Sequence, residues 1–162
     1  MRFVCDSTVG KLARLLRMAG IDTAYVKKES LPLVLSISLE ENRKILSRNS
    51  KFNELTLAID YCHLEMDDPY DQLKYVVRSF GLELEARLFL SRCLECNEPL
   101  AAIEKGLVVE RLYPFVAKTQ EQIFHCLRCN KLYWHATHAR AIVKRLNEIS
   151  DEPGRGSADF DG

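Results

Sequence analysis

Four of the six cysteines fall into two C-x-x-C pairs, Cys93-Leu-Glu-Cys96 and Cys126-Leu-Arg-Cys129, with residues 97–125 between them. Two residues between cysteines let both thiolates face one point from a tight turn. Two such knuckles supply four sulfurs in a tetrahedron, the closed arrangement that structural zinc favours. Asn97 and Asn130 each follow the second cysteine of a pair, where a turn with positive φ suits Asn. Four thiolates leave no open coordination position, so the spacing predicts zinc that builds structure rather than zinc that does chemistry. His125 is not expected as a ligand, and Cys5 and Cys62, inside strand-like runs, read as small core residues. The first residues lack the basic-then-apolar layout of a signal peptide. The cysteines are therefore expected in a reducing compartment, cytoplasm or nucleus, where paired cysteines suggest metal rather than disulfides.

A second kind of chemistry is suggested by acids and cations near the N-terminus. Asp6 ends the first apolar run and Asn49 follows the third, Lys44-Ile45-Leu46-Ser47. Between Ser7 and Lys28 the charges are Lys11, Arg14, Arg17, Lys27 and Lys28 against Asp22 alone. Lys11, Arg14 and Arg17 recur at spacing three, roughly along one helix face near Asp6, and Arg48 ends the third strand beside the same cleft. Such a row suits phosphates, since non-specific nucleic-acid affinity is mainly electrostatic; it is also what a solvated helix face looks like. A second patch holds Arg128, Lys131, Tyr133, Trp134, His135, His138 and Arg140. Aromatics beside cations stack unpaired bases, and the competing reading makes Tyr133 and Trp134 the small core beside the zinc.

These residues need positioning elements, and residues 1–90 alternate short strand-like and helix-like pieces. Strands are expected over 2–6, 21–26, 44–47 and 57–66. A first helix carries Leu12, Leu15, Leu16 and Ala19 on one face, is capped by Ser7 or Thr8, and is stopped by Gly20. A second helix runs from Ser30-Leu31-Pro32 to about Glu41. A third starts at Asp67-Asp68-Pro69, carries Leu73, Val76, Val77 and Phe80, and is closed by Gly81. Strands alternating with helices imply a mostly parallel α/β sheet flanked by helices, with its chemistry at the carboxyl ends of the strands, where Asp6 and Asn49 fall. Residues 91–149 read as a small zinc-ribbon lobe, β-rich through Leu107 to Val116. A final helix follows over about 138–149, with Ala141, Ile142 and Leu146 on its apolar side. Residues 150–162, acidic and without pattern, read as a disordered tail.

Composition sets the outer limits. Lys plus Arg is 23 and Asp plus Glu is 23, which excludes a strongly basic polyanion binder at whole-chain level. Residues 91–150 hold nine basic and six acidic side chains, so the balance is local rather than uniform. No run of about 18 apolar residues exists, and no membrane partner is expected.

In combination the motifs resemble one family. Asp6, Gly10-Lys11-Leu12-Ala13-Arg14-Leu15-Leu16-Arg17 and Gly20-Ile21-Asp22 form its first block, and Ile45 to Asn49 a second. Asp67-Asp68-Pro69, both cysteine pairs, Leu132-Tyr133-Trp134 and Thr137-His138 follow in order. They are similar to the Mut-seven C-terminal family over residues 2–146. The resemblance implies a PIN-like domain over 1–90 followed by the zinc ribbon, a role with single-stranded RNA, and attachment in animals to a 3′–5′ exoribonuclease in the same chain. It also implies small-RNA processing, in cytoplasm, RNA granules or nucleus, and a protein partner recruiting the nuclease to a silencing assembly. PIN-type hydrolysis needs several carboxylates on one or two Mg²⁺ or Mn²⁺ ions. Asp6 matches the family's first acid. Asn49 stands where the family carries Asp, and Glu29 is the acid near the second helix. The expectation is an RNA-binding accessory domain with a degenerate nuclease site, Lys11, Arg14, Arg17, Arg48, Arg128, Lys131, Trp134 and His138 holding RNA. The alternatives are an active metal-dependent RNase using Asp6, and a docking module presenting residues 31–39 or 97–125.

Overall fold

Short apolar runs between turn formers give four strands in the computed structural model: β1 (Phe3–Cys5), β2 (Thr23–Tyr25), β3 (Lys44–Ser47) and β4 (Tyr61–His63). The structure describes residues 1–28, 30–55, 59–135 and 137–151, with Thr137 and His138 described as backbone only. The strands form one parallel sheet in the order β2-β1-β3-β4. A parallel sheet covered on both faces wants continuous rather than alternating apolar strands, and Phe3, Val4, Cys5, Ile45 and Leu46 are all fully buried. The pleat sends Phe3, Cys5 and Leu46 into a core with α1 (Gly10–Met18) and α3 (Pro69–Ser79). Val4 and Ile45 meet Val34 of α2 (Leu31–Glu41) on the other face. The mixed α/β fold, a parallel sheet flanked by helices, is therefore as the sequence implied.

Local signals explain the helix ends. The Ser30 side chain accepts from the Leu33 amide, and Asp68 accepts from Tyr70 and Asp71. Gly20 takes φ +84°, and a side chain there would meet the Leu88 carbonyl at 2.5 Å, so only glycine fits. The expected Ser7 or Thr8 cap is corrected. Asp6 itself caps a 3₁₀ turn over Ser7–Val9 that leads into α1. The fourth strand is shorter than the expected 57–66, and residues 57 and 58 of that reading lie outside the described residues.

Beyond residue 90 the backbone changes character. β5 (Leu100–Ile103), β6 (Ile123–Cys126) and β7 (Leu132–Tyr133) pair antiparallel in that order. The expected β-rich stretch over 107–116 is not there. It forms 3₁₀ turns at Lys105–Leu107 and Val109–Arg111, then α4 (Pro114–Thr119). The reason is the spacing: Val108, Leu112 and Val116 are the buried residues, four apart, a helical rather than an alternating period. α5 (Thr137–Asp151) follows, and its buried face is Ala139, Leu146 and Ile149, with Ala141 exposed. Leu146 and Ile149 join the core that holds Phe3, Leu12 and Leu73. The last helix thus packs on the parallel sheet's side of the molecule. Of residues 150–162, expected as a tail, Ser150 and Asp151 instead end α5, and 152–162 lie outside the described residues.

Candidate metal centre and nucleic-acid groove

Each cysteine pair sits on a knuckle closed by a backbone bond, Asn97 N to Cys93 O at 3.0 Å and Asn130 N to Cys126 O at 2.8 Å. Asn97 and Asn130 hold φ of 71° and 57°, the left-handed turn their residue type suits. The four Sγ atoms lie within 4.8 Å of one another, with Cys96–Cys126 at 3.3 Å and Cys93–Cys129 at 3.5 Å, and all are free thiols. A tetrahedron with metal–sulfur bonds of about 2.3 Å has its sulfurs about 3.8 Å apart. The cluster matches that size, so Cys93, Cys96, Cys126 and Cys129 could hold a metal ion such as zinc. The Tyr133 hydroxyl, 3.0 Å from Cys93 Sγ, also accepts from the Leu94 amide. Burial pushes the Cys93 thiol up, but the Tyr133 hydrogen bond and the backbone amides outweigh it and bring it down to about 6. A deprotonated sulfur is what a metal needs.

The first knuckle is bolted to the parallel sheet. Arg17, predicted on the exposed face of α1 with Lys11 and Arg14, is instead 4% exposed. Its guanidinium donates to Thr23 O at 2.9 Å, Leu94 O at 2.8 Å and Glu95 O at 3.0 Å. Spacing three drifts around a helix, so the third residue of the row turns inward. Asn97 donates to Asp22 Oδ1 at 2.7 Å and accepts from the Thr23 amide at 3.0 Å, while Arg92 donates to Gly20 O and Asn97 O. Asp22 also pairs with Arg43 at 2.6 Å. Burial pushes its carboxyl up, yet hydrogen bonds from Arg43 and Asn97 hold it below the ordinary range.

Between α1, the start of α3 and that knuckle runs a groove of about 680 Å³. Its walls carry Lys11, Arg14, Arg17, Lys27 and Arg48 against the acids Asp67 and Glu95. Lys11, Arg14 and Lys27 are exposed, and Arg48 pairs with Asp67. Gly10 allows the close approach, since a side chain there would meet the Tyr25 hydroxyl at 2.5 Å. Of the second predicted patch, Trp134 is half-buried against the core of Val108 and Ile123 and lines a smaller cleft that shares Arg14 and Leu94 with the groove. Arg128 pairs with Glu98 at 3.7 Å and Lys131 with Glu95 at 3.1 Å, and neither is a wall of the groove. The side chain of His138 lies outside the described residues, as does Glu29.

Asp6 sits in a different corner. Its carboxylate is buried, and it accepts from the Thr8 amide at 3.0 Å and from the hydroxyls of Thr8 and Ser47. The crevice it shares with Asn49, Ser30 and Phe52 measures about 10 Å³, about one water's worth of space. Asn49 accepts from the Lys51 amide, capping a 3₁₀ turn. Glu40 bonds Ser36 on α2, and Asp60 pairs with Lys44 at the opposite end of the sheet. Of the two acids before α3, Asp68 is the helix cap and Asp67 faces the groove.

A family model described as the Mut7-C RNAse domain matches residues 1–146. The chain belongs to the Mut7-C RNAse domain family. No curated protein and no solved structure matches it. An RNase-related domain that interacts with RNA is the coarse function this membership carries. Among the described residues no helix is long and apolar enough to cross a membrane. In this Mut7-C domain the second motif block, Ser47-Arg48-Asn49, is a hydrogen-bonded corner: Ser47 holds Asp6, and the Arg48 amide donates to Thr8 Oγ1 at 3.0 Å. Sequence reading missed the next layer. The Tyr61 hydroxyl donates to Asn49 O at 3.0 Å and lies 2.6 Å from His63 Nδ1, and burial pushes the Tyr61 phenol up to about 12. It also left unassigned Lys27, a wall of the groove, and Phe124, a wall of the cleft that Trp134 lines. The charge count around α1 already contained Lys27, whereas nothing local marks Phe124.

Proposed function

We propose that this Mut7-C domain holds single-stranded RNA in the groove along α1 and that its PIN-like nuclease site is degenerate. One observation carries the reading: five cations converge on a single groove with two acids, and Lys11, Arg14 and Lys27 are exposed there. Asp6 supports the second part. Its oxygens are engaged by Thr8 and Ser47, and the neighbour that would add a second charge is Asn49. The metal of the four thiols is zinc on this reading, a structural ion that fixes the knuckle forming one groove wall. Mg²⁺ or Mn²⁺ enters only if the Asp6 corner cleaves. The resemblance to Mut-seven proteins supports service to a 3′–5′ exoribonuclease in small-RNA processing, in the cytoplasm, its RNA granules or the nucleus.

The test is fluorescence anisotropy with single-stranded RNA in Mn²⁺ as salt rises. Binding should be stable and salt-sensitive. The Lys11→Gln/Arg14→Gln double variant should flatten the log–log salt slope by about 1.4, two phosphate contacts at about 0.7 each. An unchanged slope rejects the groove. A signal that decays with time, and stops doing so in Asp6→Ala, makes the domain an active RNase instead. A docking role has one observation in its favour: Leu107, Tyr113 and Phe115 of the connector and Leu127 of the second knuckle are each more than 70% exposed. A stoichiometric partner recovered without RNA and lost in Phe115→Ser would assign that face to a protein recruiting the domain to an assembly.

A further inference from the structure

Alongside the cationic groove lies a smaller cleft of about 240 Å³ lined by Phe124, Tyr133, Trp134 and His135 together with apolar side chains such as Met18 and Ile142. It is not a separate feature of the surface. Arg14 and Leu94 are walls of both depressions, so the cleft opens where the groove meets the first knuckle. Phe124 and His135 pack edge to face, centroids 5.4 Å apart and planes 73° apart, an arrangement that holds both rings in fixed orientation. His135 is exposed and Trp134 half-buried. The volume falls below the range for drug-sized ligands. It suits one flat ring system entering from the groove.

We infer that this cleft receives one unpaired nucleobase of an RNA strand whose phosphates lie along Lys11 and Arg14. This rests on the groove reading given above and goes beyond it by assigning the base. The chemistry is complementary on both sides of Arg14: cations for phosphates in the groove, ring faces and edges for a base in the cleft. A strand with its bases stacked inside a duplex cannot offer one sideways, so the cleft selects single strands or frayed ends. Stacking tolerates every base, so it adds affinity without sequence preference.

The chain has one tryptophan, and it is in the cleft. Its emission therefore reports this site alone. The full metal-loaded chain is titrated with a fluorescein-labelled RNA decamer and with a decamer of the same sugar-phosphate backbone lacking bases, reading anisotropy and Trp134 emission together. Both strands should bind, and only the RNA should quench Trp134. His135→Ala should weaken RNA binding about tenfold, within the range for losing one stacked base, and leave the abasic strand unaffected. Trp134→Phe, which keeps a ring, should retain RNA affinity.

RNA that binds without changing Trp134 emission, or an abasic strand that quenches equally, overturns the base pocket while leaving the groove intact. Failure of both strands to bind overturns the groove and the pocket with it. Emission that shifts with protein concentration and not with RNA gives the cleft to a protein contact and also overturns the inference.

Discussion

The parallel-sheet half and the cysteine half of this molecule are built on different terms. In the first, α1, α2 and α3 close two apolar cores around a sheet whose central strands are fully buried. In the second, the buried core is Val108, Leu112, Val116 and Ile123, with Trp134 and Leu132 packed on it. A cluster that small gives little hydrophobic stabilisation, so the four thiols and the bonds from Arg17, Asn97 and Arg92 carry the fold there. The difference teaches where each half will fail. The sheet should respond to cavities, the cysteine half to loss of metal or of a single polar side chain.

Metal loss should give the largest effect. Chelation, or Cys126→Ser, is expected to unfold residues 91–135 while the sheet, with α5 packed on its core, keeps most of its far-UV signal. A near-UV spectrum and RNA affinity unchanged by chelator would break the contrast between the halves. Arg17→Ala comes next, leaving the Thr23, Leu94 and Glu95 carbonyls without this donor. It should cost about 2–3 kcal/mol in urea unfolding and weaken metal binding about tenfold through the displaced knuckle. Arg17→Lys should recover only part, because one ammonium cannot span Thr23, Leu94 and Glu95 as the planar fork does.

Asp6→Ala belongs to the sheet half, and a smaller loss of about 1–2 kcal/mol is expected from the lost cap and the stranded Ser47 and Thr8 hydroxyls. RNA affinity should stay within about twofold, which anisotropy reads directly. The smallest effect is a pH dependence at the joint. Asp22 titrates below its unfolded value of about 3.9, so it binds fewer protons folded than unfolded and stabilises the fold above that pH. That contribution fades as pH falls through the depressed folded value. Between pH 6 and pH 3 the native chain should therefore lose more stability than Asp22→Asn, measured as urea midpoints. Equal losses would remove Asp22 from the joint.

Much of this was written locally in the chain. Ser30-Leu31-Pro32, Gly20, Asp68-Pro69 and the two Cys-x-x-Cys-Asn knuckles each act within a turn or two, and each behaves as its residue types require. What could not be read depends on partners distant in sequence. Arg17 looks like one more exposed cation until Leu94 and Glu95, 77 and 78 residues away, bring it their carbonyls. The stretch 107–116 has β-forming residues, yet burial selects Val108, Leu112 and Val116, and tertiary packing overrides propensity. The family's nuclease motif was legible as a motif. That Asp6 is sunk under Thr8 and Ser47 follows from the strand ends meeting, which spacing does not encode.

The packing of α5 has a consequence for how the molecule is made. Leu146 and Ile149 complete the same core that Phe3 and Leu12 begin. At about 5–20 residues per second of synthesis, the first strand waits several seconds on the ribosome before its last neighbour exists. During that time the α1–α3 face exposes apolar surface, and Arg17 has only Thr23 O of its three carbonyls to bond. Within this domain the sheet is thus translated before α5 and finished only with it. A nascent chain stalled near residue 90 should bind chaperones and resist folding, whereas one stalled far enough past residue 151 for α5 to clear the exit tunnel should not.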